Sequence, residues 1–87
     1  MQNTSIAQAL SPAVIDGVKF KVKRQRKFEW LIAKIDGKFY LLNYSNNDFF
    51  TGWAYSVTEE TGRPIASSVG QNYYPTKEDA FDAARKI

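Results

Sequence analysis

The chain is 87 residues long, has neither cysteine nor histidine, and carries twelve basic against nine acidic residues for a net charge of +3. No disulfide framework or thiolate metal site can hold it together, and the commonest metal ligand, the usual neutral-pH general base and the cysteine nucleophile are all missing, so no cofactor is expected. A domain this short buries only about 60 to 65 % of the surface its unfolded form exposes; six phenylalanines, five tyrosines and two tryptophans supply the dense apolar core that this demands.

The opening stretch, MQNTSIAQAL, has no basic n-region and no continuous apolar h-region. No run approaches the roughly 18 apolar residues of a membrane span, so a cytoplasmic location without a membrane partner is expected. Residues 1–17 read as an N-terminal helical or irregular segment. Thr4 or Ser5 caps a turn carrying Ile6, Ala9 and Leu10; in SPAVIDG, Ser11 is a cap, Pro12 stands at a first helical position and Gly17 is a stop. Such a segment serves as a lid over one end of the fold or as a frayed tail.

Residues 18–87 read as an antiparallel sheet plus a C-terminal helix. From Val18 the period is two: Val18, Phe20 and Val22 fall on one face, Lys19, Lys21 and Lys23 on the other. RQRK follows as a turn, and Phe28 to Ile35 is a second strand, apolar on both faces as befits an interior position. Asp36-Gly37 is a hairpin signal, because a type I′ turn needs positive φ at both central residues. It sets Ile35 opposite Lys38, Ala33 opposite Tyr40 and Leu31 opposite Leu42, with Lys34, Ile32 and Trp30 meeting Phe39, Leu41 and Asn43 on the other face.

After the turn-prone NYSNND, Trp53, Tyr55 and Val57 alternate with Ala54, Ser56 and Thr58 as a fourth strand. EETG closes a hairpin with Gly62 left-handed, and Arg63 to Val69 returns with Pro64 at a strand start or an edge. Thr76 caps a final helix whose inner face is Ala80, Phe81, Ala84 and Ile87, with Glu78 and Asp79 at its positive end and Arg85 and Lys86 at its negative end. The predicted architecture is α+β: one small domain of five antiparallel strands, the C-terminal helix packed on one face and a short helical turn before the sheet.

Charge is unevenly spread. Between Lys19 and Lys38 lie eight basic residues against Glu29 and Asp36, while residues 39–87 are net acidic. Lys19, Lys21 and Lys23, continued by Arg24, Arg26 and Lys27, would neutralise the phosphates of a nucleic acid or nucleoprotein. The alternative is a solvated sheet face on which lysine keeps the protein soluble and blunts an edge. A second constellation, Phe49, Phe50 and Trp53 beside a polar turn, is either an exposed protein-binding patch or core; Tyr73 and Tyr74 carry the same ambiguity. The rival function is therefore a protein-binding adaptor or inhibitor, of the kind by which small phage or other mobile-element proteins block a host or defence complex. Glu59-Glu60 reads as a hairpin tip, and Asp16, Asp36 and Asp48 as caps or turns; no serine or cysteine motif, phosphate loop or metal-ligand spacing is present, so an enzyme is not expected.

Two resemblances add to this. GWAYSVTEETGRPIASSVGQNYYPTKEDAFDAARKI, residues 52–87, resembles the hairpin-plus-helix unit of the YegP-like small bacterial proteins: a tryptophan strand, a glycine turn, a strand ending in serines, and a Tyr-x-Thr-Lys step into an alanine-rich helix. That likeness implies a fold more than a function. VKRQRKFEWLIAKI with the later YPTKEDAFDAA is similar to the basic strand, tryptophan strand and helix of ethylene-response-type plant DNA-binding domains and phage integrase arm-binding domains. There a three-stranded sheet reads DNA, which implies contacts from Lys23, Arg24, Arg26, Trp30 and Lys34.

Overall fold

Asp-Gly occurs twice, at 16–17 and 36–37, and each pair adopts the two positive φ values of a tight hairpin turn: Asp16 52° and Gly17 77°, Asp36 50° and Gly37 75°. In the computed structural model, which describes residues 10–26 and 28–87, both turns belong to one antiparallel meander. Its six strands are β1 (Ala13–Ile15), β2 (Val18–Gln25), β3 (Phe28–Ile35), β4 (Lys38–Asn46), β5 (Thr51–Glu59) and β6 (Pro64–Ser67), lying side by side in chain order and followed by one helix, α1 (Lys77–Arg85).

The sheet has one strand more than its sequence periodicity predicts, and the short helical turn expected within residues 11–17 is absent. Residues 13–15 pair with β2 instead, Ala13 opposite Phe20 and Ile15 opposite Val18. The physical reason is local. A single helical turn bears the whole nucleation cost, whereas β-branched Val14 and Ile15 before a turn-forming Asp-Gly extend a sheet that already exists. Ile15 is buried as a result. The part of the expected segment in residues 1–9 lies outside the described residues. The strands also run further into RQRK than expected: β2 continues until Gln25 pairs with Phe28, and Arg26 after it has φ 60°. Likewise β4 continues through Asn43–Asn46, because Tyr44 packs on Trp53 across the ladder, and only residues 47–50 turn.

The register around Asp36-Gly37 agrees with the turn's prediction from Ile35 opposite Lys38 to Leu31 opposite Leu42. Because antiparallel partners share a face, it sorts the side chains into two sets. One set contains Ile15, Phe20, Leu31, Ala33, Tyr40, Leu42 and Val57, and α1 covers it. Phe81 of α1 is completely buried, meeting Phe20 edge-on at 4.9 Å and Tyr40 at 5.8 Å. Residues from β1 through β4 gather with Ala80 and Phe81 into one core. Thr76 accepts the Asp79 N–H at 3.1 Å as the N-cap, and Ala80 and Ala84 bring the helix close to the sheet. Ile87 departs from its expected place: α1 ends at Arg85, so Ile87 swings off the buried face and is exposed.

Between β6 and α1 the chain stays tied to β5. Ser68, buried, exchanges two hydrogen bonds with the Tyr55 backbone, and Tyr74 exchanges two of 2.8 Å with Trp53. Pro64 begins the edge strand β6, and a bulge between Val57 and Thr58 leaves Ile65 half exposed beside it. No helix among the described residues is long and apolar enough to cross a membrane.

Candidate nucleic-acid interface

The other face of β2–β4 carries Lys19, Lys21 and Lys23 on β2, Trp30, Ile32 and Lys34 on β3, and Phe39 and Leu41 on β4. No described helix or strand is layered on it, since α1 lies against the opposite face. Trp30, Ile32, Phe39 and Leu41 are only half-buried. Lys23 lies directly across from Trp30, and Lys21 from Ile32. A shallow depression of about 230 Å³ opens here, with Ile32 and Phe39 in its lining and Lys19, Lys21 and Lys34 around them.

Electrostatics single out the β2 lysines. Lys19, Lys21 and Lys23 are exposed, sit on alternate positions over a run of roughly 13 Å, and take part in no ion pair among the described residues. Lys34 on the same face pairs with Glu60 at 2.8 Å, both side chains half exposed, so solvent screens the contact and an incoming anion can replace it.

Arg24 is placed differently. It points to the helix side of β2, where its guanidinium binds the Glu29 carboxylate, which also accepts the Leu10 N–H at 2.9 Å. The Arg24 hydrogen bond first, and the Leu10 N–H second, hold the Glu29 carboxyl below the usual carboxylate range against a smaller opposing effect of burial. Arg26 is exposed at the β2–β3 turn, and Lys27 lies outside the described residues. The six basic residues singled out in the sequence thus divide: three lysines share the open face, Arg24 is engaged on the opposite one, and Arg26 marks the hairpin end.

The aromatic constellation divides too. Asn47 Oδ1 accepts the N–H groups of Phe49 and Phe50 at 2.9 Å each, and Asn47 N–H donates to Phe50 O at 3.0 Å, a closed turn that holds Phe49 out with 86 % of its surface exposed. Phe50 stacks on Tyr73 at 4.8 Å, while Trp53 lies on the helix side against Tyr44 and the core with Lys77 Nζ 6.0 Å above its ring. Only Phe49 is fully presented.

The apolar row of Ile32, Phe39 and Leu41 on the lysine face is not among the candidate residues that sequence reasoning singles out. A signal for it exists: β3 is apolar on both faces, yet among the described residues one nine-residue helix lies over the sheet, and it covers only one of them. Among the described residues no three His, Cys, Asp or Glu side chains cluster to hold a metal ion.

Comparison with protein-family models, curated proteins and solved structures finds no match to this chain. The YegP-like and integrase-arm resemblances accordingly rest on the quoted residues alone.

Proposed function

We propose that this protein is a non-enzymatic, cytoplasmic binding module that engages nucleic acid, free or within a nucleoprotein, through the open face of β2–β4. The observation that carries the reading is the line of Lys19, Lys21 and Lys23 on a face without a covering layer and without a carboxylate partner among the described residues. Excess lysine that serves only solubility is ordinarily interspersed with acid, whereas a one-sign stripe concentrates positive potential where phosphates would lie. Lys34 adds to the stripe once released from Glu60, and Arg26 extends it past the hairpin end; the integrase-arm resemblance favours the same surface at Lys23, Trp30 and Lys34.

Binding of a fluorescent oligonucleotide measured against salt tests the reading. Three phosphate contacts predict a loss of roughly 20- to 40-fold in affinity between about 50 and 200 mM salt. Lys19→Gln, Lys21→Gln and Lys23→Gln combined should flatten the log–log salt slope by about 2 to 3 without changing the melting temperature. A slope unaltered by the triple substitution, or no binding at low salt, removes the proposal.

A second reading rests on Phe49 alone: an exposed ring on a hydrogen-bonded hairpin turn suits the apolar pocket of a protein partner, as an adaptor or inhibitor would use it. Phe49→Ser is then expected to keep the wild-type melting temperature and to abolish capture of a partner that the wild type retains; capture by both proteins alike would discard this reading.

A further inference from the structure

Resting on the nucleic-acid reading, we infer that the ligand of the open face is single-stranded, with its bases laid on the apolar row of β3 and β4 and its phosphates on β2. The arrangement is one of adjacent rails: Lys23 faces Trp30 across the β2–β3 ladder and Lys21 faces Ile32, so each cation stands one strand away from an apolar platform. Along β3 the exposed Phe28 precedes Trp30 on the same face, and Phe39 continues the row on β4. A chain whose bases are splayed from its backbone matches both rails at once, because every base has a flat apolar face and every nucleotide a phosphate.

A duplex matches only one of them. Its base faces are stacked inside, so the tryptophan and phenylalanine would meet sugar and phosphate and be desolvated for nothing. Reading base edges in the major groove calls for arginine, asparagine or glutamine in bidentate geometry, whereas three of the four β2 positions on this face are lysine, with Gln25 opposite Phe28 the fourth. Charge complementarity thus selects a polyanion, and the half-buried aromatic row selects one with unpaired bases.

The test compares four ligands of equal length on the intact protein at low salt: oligodeoxythymidine, oligouridine, a mixed-sequence duplex, and an abasic strand with the same phosphates. At least one of the two base-bearing strands is expected to bind about 10-fold or more tighter than the duplex and the abasic strand, and their mutual ratio tells DNA from RNA. Trp30→Ala, its fold checked by melting, should cost that strand about 10-fold and leave the abasic strand unchanged. Duplex binding as tight as single-strand binding, or an abasic strand bound as well as a base-bearing one, overturns the inference while leaving a charge-driven interface intact, and both outcomes are read on the wild type even if Trp30→Ala fails to fold. No binding to any of the four overturns the nucleic-acid reading itself.

Discussion

Phe81→Ala is expected to lower unfolding free energy by about 3 to 5 kcal/mol, a large part of the roughly 5 to 15 kcal/mol available to a small domain. Phe81 is completely buried, and its ring joins the helix to β2 and β4: edge-on to Phe20 of β2 at 4.9 Å, edge-on to Tyr40 of β4 at 5.8 Å, and beneath the Arg85 guanidinium at 5.3 Å. Truncation removes the transfer energy of the ring and opens a cavity that Ala80 and Ala84, flanking it on α1, are too small to fill. In a domain of this size the loss corresponds to a fall in melting temperature of roughly 15 °C or more. Urea and thermal melts followed by circular dichroism decide it. A shift under about 5 °C would mean that α1 is not the second layer of the core. Phe81→Leu, which keeps most of the volume, should fall between the two proteins.

That layer was legible in the sequence because its signals are local and agree with one another. Thr76, Glu78 and Asp79, the spacing of Ala80, Phe81 and Ala84, and Arg85 near the end all specify the same helix, and Asp36-Gly37 sets a register that leaves no freedom at Leu31 or Leu42. What misled was a stretch whose local signals conflict. Ser11-Pro12 opens a helix on paper and Asp16-Gly17 closes a hairpin; the hairpin wins because β2 is already there to pair with, which residues 11–17 by themselves do not reveal. The candidate site was legible in composition and blurred in geometry. Alternation fixed the common face of Lys19, Lys21 and Lys23, but Arg24 falls out of phase with them by the same period of two, and its engagement with Glu29 follows from the continued β2–β3 pairing up to Gln25 and Phe28, which RQRK does not announce. The apolar row beside the lysines depends on counting layers, a property of the whole chain.

Gly52→Ala is the other substitution expected to be severe, at about 3 kcal/mol. Gly52 has φ +131°, a conformation that L side chains rarely adopt, and a Cβ there would lie 2.7 Å from the Tyr74 carbonyl oxygen and 3.3 Å from Tyr73 Cβ. The oxygen cannot retreat freely, because it accepts the Trp53 N–H at 2.8 Å in the two-bond bridge that ties the lead-in of α1 to β5. Roughly 1 to 3 kcal/mol of backbone strain therefore adds to about 1 kcal/mol for each hydrogen bond that stretches or breaks. Gly37→Ala serves as the control: it has positive φ, 75°, but nothing within 4 Å of the added methyl, so only the strain remains and the cost is about 1 kcal/mol. Melting temperatures in the order wild type, Gly37→Ala, Gly52→Ala are the expected result, and equal losses in the two variants would show that the crowding at Tyr73 and Tyr74 carries no weight. The Gly52→Ala protein that remains folded should lose the Phe50–Tyr73 stack first and keep its salt-dependent oligonucleotide affinity, because β2 lies three strands away from β5 across the meander. Parallel loss of that affinity would instead place the Tyr73 segment within the nucleic-acid surface and break the separation between the lysine face and the Phe49 hairpin.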